Sequence, residues 1–412
     1  MRDRDQDIQV STKHVKLRIV IFVLAVLVAV GAFTYGISAL GRREPGYYRV
    51  EATADEELIK LDGNVNFQYR FKGSKSEINA ELRQLQALYG ASLRRCSRLL
   101  DTESTYTGVI NIAEINANPG REMRVSEELF DVLRYALALT EEGQGYSLLA
   151  GPLYAEWNSL LILADPEPFD PSADAEEAER ISKLASLVSD RENIRLEIVD
   201  EAACTVRLVV SDALRRQLQE YELECPFLDL NLLHDACLLR MIAADLEAQG
   251  YADGYLTAKS GITLSLSSHS GGEYGLIGFD GEHREVAATF PLERGTAFSL
   301  MRAFAMEDED YYYYTVETEE GMLFRHPGVP ASGEYPGILL SSAIYCTEPD
   351  PVRAVYENIR LFACEDRAAV EACASSLPDA AAWTLQGEGQ RVFSNTEAAQ
   401  LLAEGDYGWT LE

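Results

Sequence analysis

Side chains able to do chemistry are few in this sequence, and they are dispersed. The five histidines stand singly, with no HExxH pair to hold a catalytic zinc. His234 and His326 are the two that could stand near a site. His14 lies in the polar N-terminal stretch, and His269 and His283 fall in polar loops where a solvated imidazole is expected. No Walker A sequence cradles a phosphate, no GxGxxG follows a strand, and no GxSxG sets a serine nucleophile on an elbow. The seven cysteines form no CxxC pair, which excludes a zinc ribbon. An odd count leaves at least one free thiol or one intermolecular bond. Most of these cysteines fall in predicted helices or strands, where they read as small buried apolar residues rather than a disulfide framework.

The elements that would position such groups are those of a globular chain. Of 412 residues, 47% are apolar and 25% charged, enough for a large core and two or three lobes. The net charge is −31, so the surface repels nucleic acid and an anionic membrane face, and no nucleic-acid partner is expected. Residues 19–40 form 22 uncharged positions after a basic stretch that includes Lys13, Lys16 and Arg18. That length crosses a bilayer as a helix, and the basic flank keeps the N-terminus in the cytoplasm. The sequence thus predicts a cytoplasmic tail at 1–18, an uncleaved signal anchor at 19–40, a linker at 41–59 and an extracytoplasmic domain at 60–412. A cleaved signal peptide, with Ala39 before the cut, is the rival reading.

Within that domain the organising unit spans residues 226–262. An apolar run (Phe227, Leu228, Leu230) reads as a strand. Residues 236–249 follow as a helix with Leu239, Ile242, Ala243 and Leu246 at helical spacing, and Gly250 as its left-handed terminator. Residues 255–266 read as a second strand. Ser126 caps a helix that ends at Gly143 and Gly145, and Asp350 with Pro351 starts another. Residues 102–120 read as a polar loop, and residues 165–174, rich in Pro and Asp, as a surface loop. Residues 274–279 and 285–290 read as a hairpin around Asp280 and Gly281, and residues 383–385 and 391–393 as a closing one.

Several short segments, in order, resemble the ApbE family of FAD:protein FMN transferases, over roughly residues 60–400. The clearest runs from Gly145 through Tyr146, Ser147, Leu148, Leu149, Ala150, Gly151 and Pro152 to Leu153, with Trp157 beyond it, and is similar to the family's GAFDPTVGPL followed by LW. Residues 110–116 resemble the pattern that precedes it. Asp229 and Leu230 resemble the start of the family's DLGGIAKGYA loop, residues 256–262 its VNLGGDI strand, and Tyr311 and Tyr314 its SGDYxRY segment. Residues 321–326 resemble its DGxxYHH, and residues 329–333 its DPRTG. The resemblance implies an α+β, T-fold-type architecture of mixed sheets with packed helices. It also implies an enzyme that cleaves FAD at the pyrophosphate and moves FMN to a Ser or Thr of a target flavoprotein, with Mg²⁺ neutralising the phosphates.

Departures fall on the positions that carry this chemistry. Asn231 and Leu232 replace the paired glycines, and Asp235 replaces the loop lysine, reversing the charge offered to a phosphate. Lys259, Ser260 and Gly261 replace the GGD turn, Asp308 and Glu309 stand at the SG position, and Val329 replaces an aspartate. Val355 and Ile359 fall on the metal-binding aspartate and threonine positions, and neither can hold Mg²⁺. His326 remains as a catalytic candidate, and Asp229, Asn231, Ser332 and Gly333 as cofactor-binding candidates. The resulting expectation is a membrane-anchored ApbE-like protein that has lost FMN transfer and binds an envelope flavoprotein or redox partner. The alternatives are an active enzyme with a shifted metal site built from Asp229, Asp235, Asp308 or Glu357, or a protein that holds FAD without cleaving it. The plain reading of those four acids is solvated surface charge.

Overall fold

The computed structural model describes residues 44–411 except 144, 270–272, 280–283, 292–295, 307–312, 319–320, 347, 378–379, 386–390, 395–399 and 402–409. The expected signal anchor at 19–40, the turn at 280–281, His283, Asp308, Glu309 and Tyr311 therefore lie outside the described residues. Among the described residues no helix is long and apolar enough to cross a membrane.

The chain divides into two compact units, residues 1–46 with 71–83, and residues 47–70 with 84–412. In the described part of the first, the Glu77 side chain folds back onto Ser74 at the start of the helix Lys75–Leu100. The Glu77 carboxylate accepts from the Ser74 backbone N–H at 2.7 Å and from its hydroxyl at 2.6 Å.

Among the described residues of the second unit, strands assemble into one main sheet and three smaller ones. The main sheet runs Gly46–Val50, Val65–Phe71, Gly254–Ala258, Ile262–Ser265, Ala297–Arg302, Leu339–Cys346, Ala380–Leu385, Arg391–Ser394 and Thr410–Leu411. Leu339–Cys346 is buried along its whole length, as expected of a central strand with both faces covered. The helices His234–Ala248 and Pro351–Phe362 pack on each other and on the central strands. Asp350 caps the second of these, accepting from Val352 N at 3.1 Å and Arg353 N at 3.2 Å. Its buried Asn358 then fixes the helix to the sheet. The amide donates to the Ser299 carbonyl at 2.9 Å and hydroxyl at 3.0 Å, and its oxygen accepts from the Ser342 hydroxyl.

Local signals are realised where expected. Ser126 caps Glu127–Glu142, Gly143 leaves it left-handed, and Gly250 follows His234–Ala248 with φ +85°. The hairpin strands at Glu273–Phe279 and Arg284–Pro291, and at Ala380–Leu385 and Arg391–Ser394, pair antiparallel.

Six expectations are corrected. Residues 227–230 form no strand, because their backbone groups bond to the Asn116 side chain and the Leu148 carbonyl, as described below. Residues 255–266 form two strands, since Gly261 takes φ +91° and turns the chain back between Gly254–Ala258 and Ile262–Ser265. The expected loop at 102–120 contains the short helix Ile112–Ala117, capped by the Asn111 side chain on Glu114 N. The expected surface loop at 165–174 buries Asp170 completely. His269 is 1% exposed rather than solvated, its ring held against Tyr47 and Tyr255, with the Tyr47 hydroxyl 3.2 Å from Nδ1. Glu357 is no surface charge. It is 3% exposed and paired with Arg353 and Arg360.

Candidate functional site

The segment Pro226–Leu230 is where three distant stretches meet. Asn116, at the end of the Ile112–Ala117 helix, accepts from Phe227 N at 3.2 Å and Leu228 N at 2.8 Å, and donates to the Leu228 carbonyl at 3.0 Å. One side-chain amide thus does for this loop what a neighbouring strand would do. The Leu148 carbonyl accepts from Asp229 N at 3.0 Å. A Cβ on Gly151 would stand 2.3 Å from the Pro226 carbonyl oxygen, so only glycine lets the Gly151–Leu161 helix come this close. That helix carries Trp157, buried, whose indole N–H donates to the His326 carbonyl at 3.0 Å.

Asp229 faces a cleft of about 530 Å³, also lined by Asp101, Glu103, Lys60, His234 and Asp235. Burial raises the Asp229 carboxyl above its ordinary range, partly offset by the Asn231 N–H it accepts at 2.7 Å. His234 Nδ1 lies 3.0 Å from Asp235, and the Ser260 hydroxyl donates to the other Asp235 oxygen at 2.6 Å. Burial opposes protonation of His234, but the bond to Asp235 and the charges of Asp229 and Asp101 outweigh it and raise its pKa. Burial likewise opposes ionisation of Asp235, and its partners His234 and Ser260 carry its pKa below the ordinary value.

The next residues fill space rather than leave it. Asn231 adopts φ +46°, a left-handed conformation that asparagine tolerates, so the backbone keeps a turn that glycine would make freely. The Leu232 side chain lies so close over Gly328 that a Cβ there would meet its Cδ1 at 2.4 Å. On the 351–362 helix, Val355 and Ile359 are 2% and 5% exposed.

Sequence candidates are therefore separated. Asp229 joins His234 and Asp235 in one cleft. Ser332 lines a different cavity of about 630 Å³ with Tyr146, Ser147 and Arg360. Gly333, with φ +78°, borders a third, of about 460 Å³, which Ser332 also lines, beside Trp157 and Arg325. His326 lines none of these. It is 5% exposed, burial drives its pKa down to about 4, and its Nδ1 accepts from Gly328 N at 2.9 Å. An imidazole so placed orders a turn.

One cluster was invisible in the sequence. The Asp170 carboxylate accepts two bonds of 2.7 Å from the Arg325 guanidinium, a 2.7 Å bond from the Tyr314 hydroxyl and a 2.6 Å bond from the Ser172 hydroxyl. The Arg325 guanidinium lies over the Trp157 ring at 5.9 Å and the Tyr335 ring at 5.7 Å. Burial opposes ionisation of Asp170, but these donors win and hold it at about 2. The cluster fixes the segment leading into residues 326–333. An acid in a Pro-rich loop gives no local hint of an arginine 155 positions away.

No family model and no curated protein matches the chain. Solved structures do. The ApbE protein of Thermotoga maritima superposes with a TM-score of 0.55 at 15% identity, covering 84% of this chain and 96% of its own. The flavin transferase ApbE of Vibrio cholerae gives 0.55 at 13% identity, covering 85% and 97%. The apo flavinyl transferase ApbE of Pseudomonas stutzeri gives 0.53 at 13%, covering 87% and 96%.

The fold is ApbE-like. The α+β architecture of mixed sheets and packed helices implied by the sequence resemblance is thereby met. Magnesium and the FAD pyrophosphate, which that resemblance also implies, fit these residues poorly. Two buried hydrocarbons supply no oxygen at 355 and 359. Asp235 presents a carboxylate, together with Asp229, Asp101 and Glu103, in a cleft that Lys60 and Arg98 also line, Arg98 being paired with Glu57. Among the described residues no three His, Cys, Asp or Glu side chains converge to hold a metal ion.

Proposed function

We propose that this chain is an ApbE-like protein that does not transfer FMN and acts as a binding module for an envelope flavoprotein or redox partner, anchored to the membrane through residues 19–40. The observation that carries this reading is the burial of Val355 and Ile359, which leaves hydrocarbon where the resemblance puts two metal ligands. Leu232 supports it by packing against Gly328 where the resemblance puts a glycine. What the fold supplies instead is a rigid arrangement of loops around residues 226–229, stitched by Asn116, Leu148 and Gly151. In this reading the N-terminus is cytoplasmic and the acidic domain lies outside.

The test is a titration of the full chain in detergent with FAD, with and without Mg²⁺, following flavin fluorescence and chromatographic separation of products. The expected result is no release of AMP or FMN under either condition. FMN and AMP appearing only with Mg²⁺ would overturn the proposal and assign metal binding to acids such as Asp229 and Asp235. Stoichiometric FAD binding without turnover would replace it with a protein that holds the dinucleotide intact.

A further inference from the structure

The helix Gly151–Leu161 runs out into residues 162–169, a stretch that holds apolar side chains in solvent. Ile162 is 63% exposed and Phe169 49%, and Leu163 is exposed with them. Three large apolar residues exposed within eight positions make a patch, which singly scattered surface hydrophobics do not. Asp165 and Glu167 stand among them, both exposed and without an ion pair among the described residues. The stretch is held in place. Leu163 N donates to the Leu160 carbonyl at 3.3 Å, Phe169 N to the Pro166 carbonyl at 3.0 Å and Asp170 N to the Glu167 carbonyl at 3.2 Å. Pro166 and Pro168 restrict the backbone between them, and the buried Asp170–Arg325 pair pins the far end. Little conformational freedom is left to lose when a partner covers such a patch.

A cavity of the opposite charge belongs to the same unit, with a volume of about 700 Å³. Arg94, Arg95 and Arg98 line it from the helix Lys75–Leu100, and Arg124 from the strand Glu122–Arg124. Val109 and Ile110 supply apolar wall, and Ile110 is exposed. Glu128 is the one carboxylate in the lining. Three of the arginines are oriented by the chain's own acids. Arg98 grips Glu57 through two bonds of 2.9 and 2.8 Å, Arg94 pairs with Asp55 and Glu57, and Arg95 pairs with Glu128 and Asp245. Those pairs leave one nitrogen of each guanidinium, Nη1 of Arg94 and Arg98 and Nε of Arg95, without a protein acceptor among the described residues. Arg124 has no ion pair among the described residues.

We infer that two copies of this chain pair by inserting residues 162–169 of each into the arginine-lined cavity of the other. Ile162 and Phe169 cover Val109 and Ile110, and Asp165 and Glu167 accept from Arg124 and from the N–H groups that the internal pairs leave over. Charge selects this contact. The chain carries −31, so most of a second copy's surface repels Asp165 and Glu167, whereas a wall of four arginines and one carboxylate attracts them. At physiological ionic strength charges more than about 8 Å apart are largely screened, so the groups at the contact outweigh the total charge of each copy. Each copy offers both the loop and the cavity, so the two contacts are equivalent and close the pair about a two-fold axis. The pairing requires neither FAD nor a metal nor an envelope partner, so it stands apart from the functional reading above.

The test uses the full chain in detergent. Sedimentation velocity over a concentration series should show a monomer–dimer equilibrium. A benzoylphenylalanine placed at position 169 and irradiated in a mixture of unlabelled and isotope-labelled chains should cross-link one copy to the other, on peptides within residues 91–128. Arg124→Glu should weaken pairing by at least about tenfold, and so should Asp165→Lys combined with Glu167→Lys. All three side chains are exposed, so these exchanges leave the fold intact. Mixing the two variants should restore the dimer, because each loop then meets a cavity of opposite charge, although neither variant pairs with itself. A monomer at every concentration, species larger than a dimer, cross-links on another segment or on a foreign protein, or a variant mixture that stays monomeric would each overturn the inference.

Discussion

Replacing Asp170 by Asn tests the reasoning about the hidden ion pair most directly. The exchange keeps size and shape but removes the charge facing Arg325, whose side chain is 4% exposed. The amide nitrogen then points a donor at a guanidinium that has only donors, so one of the two 2.7 Å bonds is lost. A buried cation without its partner costs about 3–5 kcal/mol. Removing both charges, with Asp170→Leu and Arg325→Met, should recover most of that loss, because apolar packing often replaces a buried pair at little cost. The acid limb provides a second reading. The Asp170 pKa falls from the model-peptide value of 3.8 to about 2 in the folded chain, worth about 2 kcal/mol. A depressed carboxylate pKa means this stability is fully present above pH ~4 and is lost as pH falls toward ~2. The assay is urea unfolding of residues 44–412, followed by near-UV circular dichroism at pH 7 and through the acid range. A single-variant loss below about 1 kcal/mol, or a double-variant loss equal to the sum of its parts, would refute the assignment.

His326 supplies a prediction in a different pH window. Its folded pKa of about 4 lies below the ordinary imidazole value of 6.5, so it stabilises the fold above pH ~6.5, and this is lost as pH falls toward 4. The contribution is about 3 kcal/mol, and His326→Gln should flatten this part of the profile in the same unfolding assay. Gly151→Ala should cost about 1–3 kcal/mol and loosen residues 226–229, since the new methyl would stand 2.3 Å from the Pro226 oxygen. Amide hydrogen exchange at Phe227, Leu228 and Asp229 measures this. Unchanged protection there would show that the helix does not hold the loop.

How far the chain could be read in advance depended on the range of the interactions. Ser126, Asp350 and Gly250 were legible because caps and left-handed terminators act within one helical turn. The apolar run at Phe227, Leu228 and Leu230 misled. Leu228 and Leu230 are buried and Phe227 is half-buried, but the hydrogen bonds of this segment go to the Asn116 side chain and the Leu148 carbonyl instead of a neighbouring strand. Hydrophobic pattern reports which residues are buried and does not name the partner of the backbone. For the candidate site the sequence offered only a resemblance, which puts Leu232, Asp235, Val355 and Ile359 where the ApbE pattern has glycine, lysine and metal ligands. What those residues do physically was not legible.

By itself, the sequence determined the apolar content of the core, the helix boundaries set by local caps, the acidic balance of the chain and the ordered series of ApbE-like segments. Only the tertiary structure decided that Asp170 and Arg325 share one buried site, that His326 orders a turn, and that Leu232 covers Gly328. The physical reason is the same in each case. Caps and periodicity are properties of adjacent residues, whereas an ion pair or a filled glycine site exists only once distant segments share one volume and exclude water from it.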